Sequence, residues 1–158
     1  MDEDPLTHYE LVYLLGLSWQ HLLTTFVDRL DSAGYDDLRP VHGFALQVIA
    51  HTPDVTSSQV GDVLGVTKQA AGQLVDHLVG AGYVERADHP LGGRRRRILL
   101  TARGLRHLRD AGRTLAEVEA EVGAPVGPER MAALRADLIA MIRTGVPVPV
   151  VPALRPVW

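Results

Sequence analysis

Residues 56–101 read TSSQVGDVLGVTKQAAGQLVDHLVGAGYVERADHPLGGRRRRILLT. Val60, Val63 and Leu64 recur at helical spacing and are expected to face inward. Gly65 supplies the permissive backbone that ends a helix, and Val66 is placed to plug the angle to the next one. Thr67 is a good N-cap for a second helix, because its hydroxyl can accept from a free amide one turn on. In that second helix Ala71, Leu74, Val75 and Leu78 form one apolar stripe. The opposite face carries Lys68, Gln69, Gly72, Gln73 and Asp76. Gln69 and Gln73 project together from adjacent turns, where amides can read base edges. Gly82 is expected to stop the helix.

A hairpin follows. Tyr83, Val84 and Glu85 open one strand, Pro90, Gly92 and Gly93 make the tip, and Arg96 to Leu100 form the return strand. Strand alternation sends Arg94 and Arg96 to one face, and Arg95 and Arg97 to the other. Four adjacent arginines repel unless anions absorb their charge. Asp88 and Glu85 can neutralise part of it. Placed directly after a helix-turn-helix, the run suits a DNA minor groove and its phosphates. Helix, turn, helix and basic hairpin in this order make a winged helix-turn-helix.

Gly72 stands out, since a glycine inside a helix costs about 1 kcal/mol relative to alanine. Close approach of the helix backbone to DNA, tight packing against another helix and tolerated drift are all compatible with it at this level.

Charge follows the same division. The 158-residue chain has a net charge of −3. Residues 1–64 hold ten acids against two arginines, net −8, whereas residues 65–113 hold nine arginines and Lys68 against four acids, net +6. The basic footprint therefore coincides with the motif. There is no cysteine, which excludes disulfides, thiol redox sensing and cysteine-ligated zinc. No apolar run is long enough to span a bilayer, and MDEDP at the start is no signal peptide, so a cytoplasmic protein is expected. The seven histidines include no pair at i, i+3 or i+4, so no single helix offers two metal ligands. Glycine-rich phosphate loops, HExxH and GxSxG are absent, and neither an enzyme nor a cofactor is expected.

The flanks read as helices. Pro5 to Ala33 is expected to be one long helix, apolar almost all round, with more apolar surface than one small domain can bury. Arg39 to His51 is a shorter helix stopped by Pro53. Thr101 caps a helix to about Val122, and Glu129 to Arg143 forms a last one after a break at 123–128. The expected fold is mainly α with a small β wing. A dimerisation helix at 1–35 precedes the DNA-binding lobe at 36–104, and dimerisation helices at 105–145 follow it. The tail, 146–158, is proline-rich yet apolar; it is expected to run extended and to dock on the helical region.

The run LGVTKQAAGQLVDHLVGAGYVER at 64–86, with RRILLTARG at 96–104, resembles the MarR family (multiple-antibiotic-resistance type regulators). The resemblance spans roughly residues 6–143. It implies a homodimeric regulator, commonly a repressor, that binds a pseudo-palindromic operator in double-stranded DNA. Thr67, Lys68, Gln69 and Gln73 match its recognition-helix positions, and Arg94 or Arg95 matches its wing arginine. The aspartate that the family often places just before that arginine is here Gly92 or Gly93. The resemblance also implies release by a small aromatic effector held between the dimer helices and the DNA-binding lobe. Trp19, Phe26, His42 and Phe44 are the residues expected to line that site; all four also suit a plain core. The alternatives are a winged-helix protein-interaction module, against which the basic wing argues, and a DNA-binding protein without an effector.

Overall fold

The computed structural model describes residues 4–144, and the apolar tail expected at 146–158 lies outside them. Six helices and one hairpin are described in the order α1 Leu11–Leu30, α2 Pro40–His51, α3 Ser57–Leu64, α4 Lys68–Gly80, β1 Val84–Asp88, β2 Arg96–Leu100, α5 Ala102–Gly123 and α6 Pro128–Arg143. The protein is mainly α with a two-stranded antiparallel wing. None of the described helices is long and apolar enough to cross a membrane.

The first helix is not the single rod expected from Pro5 to Ala33. A short 3₁₀ turn, Pro5–His8, is capped by Asp4 and ends at Tyr9 in extended backbone. Glu10 is extended as well, and α1 begins after it. Apolar periodicity continues through this break because it reports side-chain faces, not backbone continuity. At the other end a loose turn at Asp31–Tyr35, with Gly34 at φ +90°, bends the chain toward α2.

The core sits in the central lobe. Leu46, Val48 and Ile49 of α2 meet Val60 and Leu64 of α3, Leu74, Val75 and Leu78 of α4, and Tyr83, Val84 and Ile98 of the wing. Each buried side chain of this size stabilises by about 1.5–3 kcal/mol relative to exposure. Three threonine caps set the helix starts. Thr56 Oγ1 accepts from the Gln59 amide while Gln59 Oε1 accepts from the Thr56 amide, Thr67 Oγ1 accepts from the Ala70 amide, and Thr101 Oγ1 accepts from the Gly104 amide. Such caps contribute roughly 1 kcal/mol each.

Outside the lobe the helices are poorly covered. Leu11, Val12, Tyr13, Leu17 and Trp19 of α1 are exposed, as are Leu105 and Leu115 of α5 and Leu134, Ile139 and Ile142 of α6. No residue of α6 is buried. Since α5 starts at Ala102, the expected boundary at 104/105 falls inside a helix that belongs to both regions.

Candidate nucleic-acid interface

The angle between α3 and α4 is set by two glycines. Gly65 ends α3 at φ +69°, and the Val66 amide returns to the Gly61 carbonyl at 3.0 Å. A Cβ on Gly61 would lie 2.8 Å from the Ala71 Cβ, so the helices cross closely only because Gly61 has none. The stripe Ala71, Leu74, Val75 and Leu78 is buried as expected. Lys68, Gln69 and Gln73 stand exposed on the opposite face. Thr67 is also exposed, but its hydroxyl is engaged as the α4 cap. Gly72 lies among them, and a Cβ there would meet nothing within 4 Å. Tight packing inside the chain therefore does not explain Gly72; between α3 and α4 the closely packed glycine is Gly61.

The wing stands beside this face. Asp76 of α4 accepts from Arg86 Nη2 of β1 at 2.6 Å, which ties the open side of α4 to the hairpin. The strands pair from Val84 opposite Leu100 to Asp88 opposite Arg96. Arg94 and Arg95 precede the return strand, so the expected alternation applies only to Arg96 and Arg97. Arg94 and Arg95 are exposed in the tip, and neither makes an ion pair among the described residues. Arg96 pairs with Asp88 at 2.8 Å. Arg97 pairs with Asp54, outside the hairpin, at 2.7 Å. Glu85, expected to share the neutralising work, takes part in no such pair among the described residues.

Beneath the wing lies a polar hub that periodicity does not reveal. Tyr83 is buried and its hydroxyl donates to Asp37 Oδ1 at 2.7 Å. Burial, then the bond to Asp37, push this phenol up to about 12. Arg103 lies over the Tyr83 ring, 4.3 Å from its centroid, and donates to the Ala81 carbonyl and to Asp37. His107 packs edge-on against Tyr35 and Tyr83 with its Nδ1 enclosed and unpartnered. Burial lowers its pKa, so the ring is held neutral. A Cβ on Gly104 would overlap the Tyr83 carbonyl oxygen, which explains the glycine at the start of α5.

A cavity of about 600 Å³ opens between α1, α2 and α5. Trp19, Phe26 and Phe44 line it, as expected, along with Leu108 and Leu115. His42 does not line it. The His42 Nδ1 accepts from the Arg39 amide at 2.9 Å, and the ring stacks on His77 of α4 at 4.4 Å. These contacts turn the side chain from the cavity toward α4. Burial and the neighbouring His77 lower its pKa to about 4. The polar residues found on the cavity wall are instead Tyr35, Gln47, His51 and His107, with Asp31 and Arg39. Tyr35 is already committed to Asp110, 75 residues away, which no local pattern could signal. Among the described residues no three histidines or carboxylates are grouped to hold a metal ion.

Residues 36–95 match the model of the MarR family. No curated protein sequence matches the chain. Solved structures do, at identities that speak for the fold. The Staphylococcus aureus transcription regulator of the multidrug efflux pump MepA, MepR, matches with a TM-score of 0.71 and 19% identity, over 86% of this chain and 98% of that one. A MepR–DNA complex from the same organism matches with a TM-score of 0.67 and 19% identity, over 87% and 99%. The Mycobacterium tuberculosis MarR family protein Rv2887, in complex with salicylic acid, matches with a TM-score of 0.66 and 24% identity, over 84% and 96%. The described fold thus runs nearly the full length of these regulators, and residues 36–95, which hold the helix-turn-helix, are similar to the MarR family.

Proposed function

We propose that the chain is a sequence-specific DNA-binding transcription regulator of the cytoplasm, a homodimeric repressor released by a small aromatic ligand. One observation carries the DNA reading. The exposed face of α4 presents Lys68, Gln69 and Gln73, and the wing tied to that face holds two unpaired tip arginines, Arg94 and Arg95. Gly72 lets the α4 backbone approach closely between the glutamines. In this reading Gln69 and Gln73 read base edges in a major groove of a pseudo-palindromic operator, and Arg94 and Arg95 meet the phosphates of the neighbouring minor groove.

The homodimer reading is supported by apolar residues left open on α1, α5 and α6, which a second copy would cover. Residues 1–35 and 105–145 then form the dimerisation region. The ligand reading is supported by the cavity, whose volume lies within the range that encloses small molecules. Trp19, Phe26 and Phe44 offer it aromatic walls, and His51 or His107 supplies a polar group. The deciding experiment is to sequence the fragments of its own genome that the purified protein retains, then titrate one of them against salt. Retention of a shared inverted motif is expected. Retention without a motif, or with no salt dependence, would overturn the proposal.

A further inference from the structure

The wing arginines divide by what they touch. Arg94 and Arg95 are exposed in the tip, and Arg96 pairs within the hairpin with the facing Asp88. Arg97 leaves the hairpin altogether. Its side chain is only 34% exposed, its Nη1 donates to Asp54 Oδ1 at 2.7 Å, and its Nε is enclosed without an acceptor. Asp54 lies in the corner between α2 and α3. One residue further along both segments, the Ile98 amide donates to the Val55 carbonyl at 2.8 Å. The return strand is therefore fastened to this corner twice, by a backbone bond and by an ion pair. Asp54 is also the one described non-glycine residue with positive φ, at +51°. That region is entered by few residues other than glycine, aspartate and asparagine among them.

We propose that Arg97 is not a DNA contact but a positioning residue. With Asp54 it sets the angle at which the wing leaves the body, and so the reach of Arg94 and Arg95 when α4 is seated. The inference rests on the DNA-binding reading above. Leverage makes the angle matter. The Ile98 bond remains as the pivot, and the stretch from Ile98 back to Arg94 spans about 13 Å, so a rotation of about 10° there moves the tip by about 2 Å. That displacement stretches a hydrogen bond of about 3 Å well past its limit, enough to take an arginine off its phosphate. Arg97 itself already has a carboxylate partner and a half-buried stem. To reach DNA it would have to abandon both.

Two substitutions separate positioning from contact. Arg97→Met keeps the stem and removes the charge. Asp54→Asn keeps the shape and the tolerance for positive φ while releasing Arg97 with its charge intact. Each protein and the double variant is titrated with a retained genomic fragment at several salt concentrations. Tryptic cleavage after Arg94 and Arg95 is timed separately without DNA, and thermal melting reports global folding. Positioning expects about tenfold weaker binding in each single variant, with the double variant no weaker than the worse single one. The salt slope flattens alike in both single variants, because the tip arginines lose phosphates in each, and tip cleavage accelerates in all three. A phosphate contact by Arg97 separates the two variants instead: Asp54→Asn binds at least as tightly as the parent with its slope undiminished, and only Arg97→Met flattens the slope, by about one unit. That pattern overturns the proposal, and so does unchanged tip cleavage in both single variants. If Arg97→Met does not fold, Asp54→Asn decides alone, since the two roles give it opposite signs. A parent protein without salt-dependent DNA binding would defeat the DNA reading, whereas the cleavage rates would still report whether the clamp holds the wing.

Discussion

Gly72→Ala sets stability against DNA affinity, and the two effects are expected to have opposite signs. Gly72 lies inside α4, where alanine is favoured over glycine by about 0.5–1 kcal/mol. An added Cβ meets no atom of the chain within 4 Å, so nothing offsets that gain. For a domain of this size each kcal/mol moves the melting temperature by about 2–4 °C, giving an expected rise of about 1–4 °C. On the DNA side the methyl group stands between Lys68, Gln69 and Gln73. Losing one charged hydrogen bond there costs about 1.5–3 kcal/mol, roughly ten- to hundredfold in affinity. Gly61→Ala is the mirror control. Its Cβ would crowd Ala71 at 2.8 Å, and overpacking of this kind costs about 1–3 kcal/mol. Melting by circular dichroism and fluorescence anisotropy with a labelled operator read both quantities on the same samples. If Gly72→Ala melts higher but binds operator as tightly as the parent, the helix backbone does not approach DNA at this point. A lower melting temperature would refute the packing argument itself.

Arg94→Ala combined with Arg95→Ala is expected to weaken all DNA and to flatten the salt dependence by about one slope unit per lost phosphate contact; an unchanged slope would sink that role. Gln69→Ala or Gln73→Ala is expected to lose about 1–3 kcal/mol of discrimination between operator and random DNA, and equal losses on both would show that these amides do not read bases. Light scattering at micromolar concentration is expected to give a dimer, and a monomer would refute the reading of the open apolar faces of α1 and α6. Acid is expected to destabilise the lobe. The folded His42 titrates near 4 against an ordinary 6.5, so the unfolded chain binds the proton first as pH falls from 6.5 toward 4, and stability is lost across that window. His42→Asn, which can still accept from the Arg39 amide, should flatten the fall in melting temperature, and an identical fall in the variant would count against His42 as its source.

The parts of this fold that were legible in the sequence are those written locally. Thr67 and Thr101 cap helices because a hydroxyl needs to reach only three residues ahead. The stripe from Ala71 to Leu78 is buried because helical spacing puts it on one face. What stayed hidden depends on partners distant along the chain. Asp54 is 43 residues from Arg97, and nothing in a run of four arginines says which one is taken. The family resemblance puts His42 beside Phe44 on the ligand pocket, yet its ring is claimed by Arg39 and His77. The break at Tyr9 and Glu10 escaped for the reason given above, since a stripe of apolar residues does not report backbone angles.

Under the proposed function, the position of the hub decides how a ligand in the cavity would act on DNA binding. His107 is on the cavity wall and packs edge-on against Tyr83. Tyr83 donates to the carboxylate of Asp37, whose carbonyl oxygen accepts from His77 of α4 at 2.8 Å. Arg103 of α5 grips the same Asp37 and the Ala81 carbonyl at the end of α4. The far end of α4 and the start of α5 are thus fastened to one residue, Asp37, α4 through its backbone carbonyl and α5 through its carboxylate. The cavity's other wall is α1, whose outer face is the proposed dimer surface. A ligand that separates α1 from α5 therefore works against both the dimer spacing and the anchor of α4. Coupling of this kind needs an element with two arrangements, and contiguity alone does not supply one. Here the neutral, under-bonded His107 is the group with most to gain from a new partner, since its Nδ1 has none among the described residues.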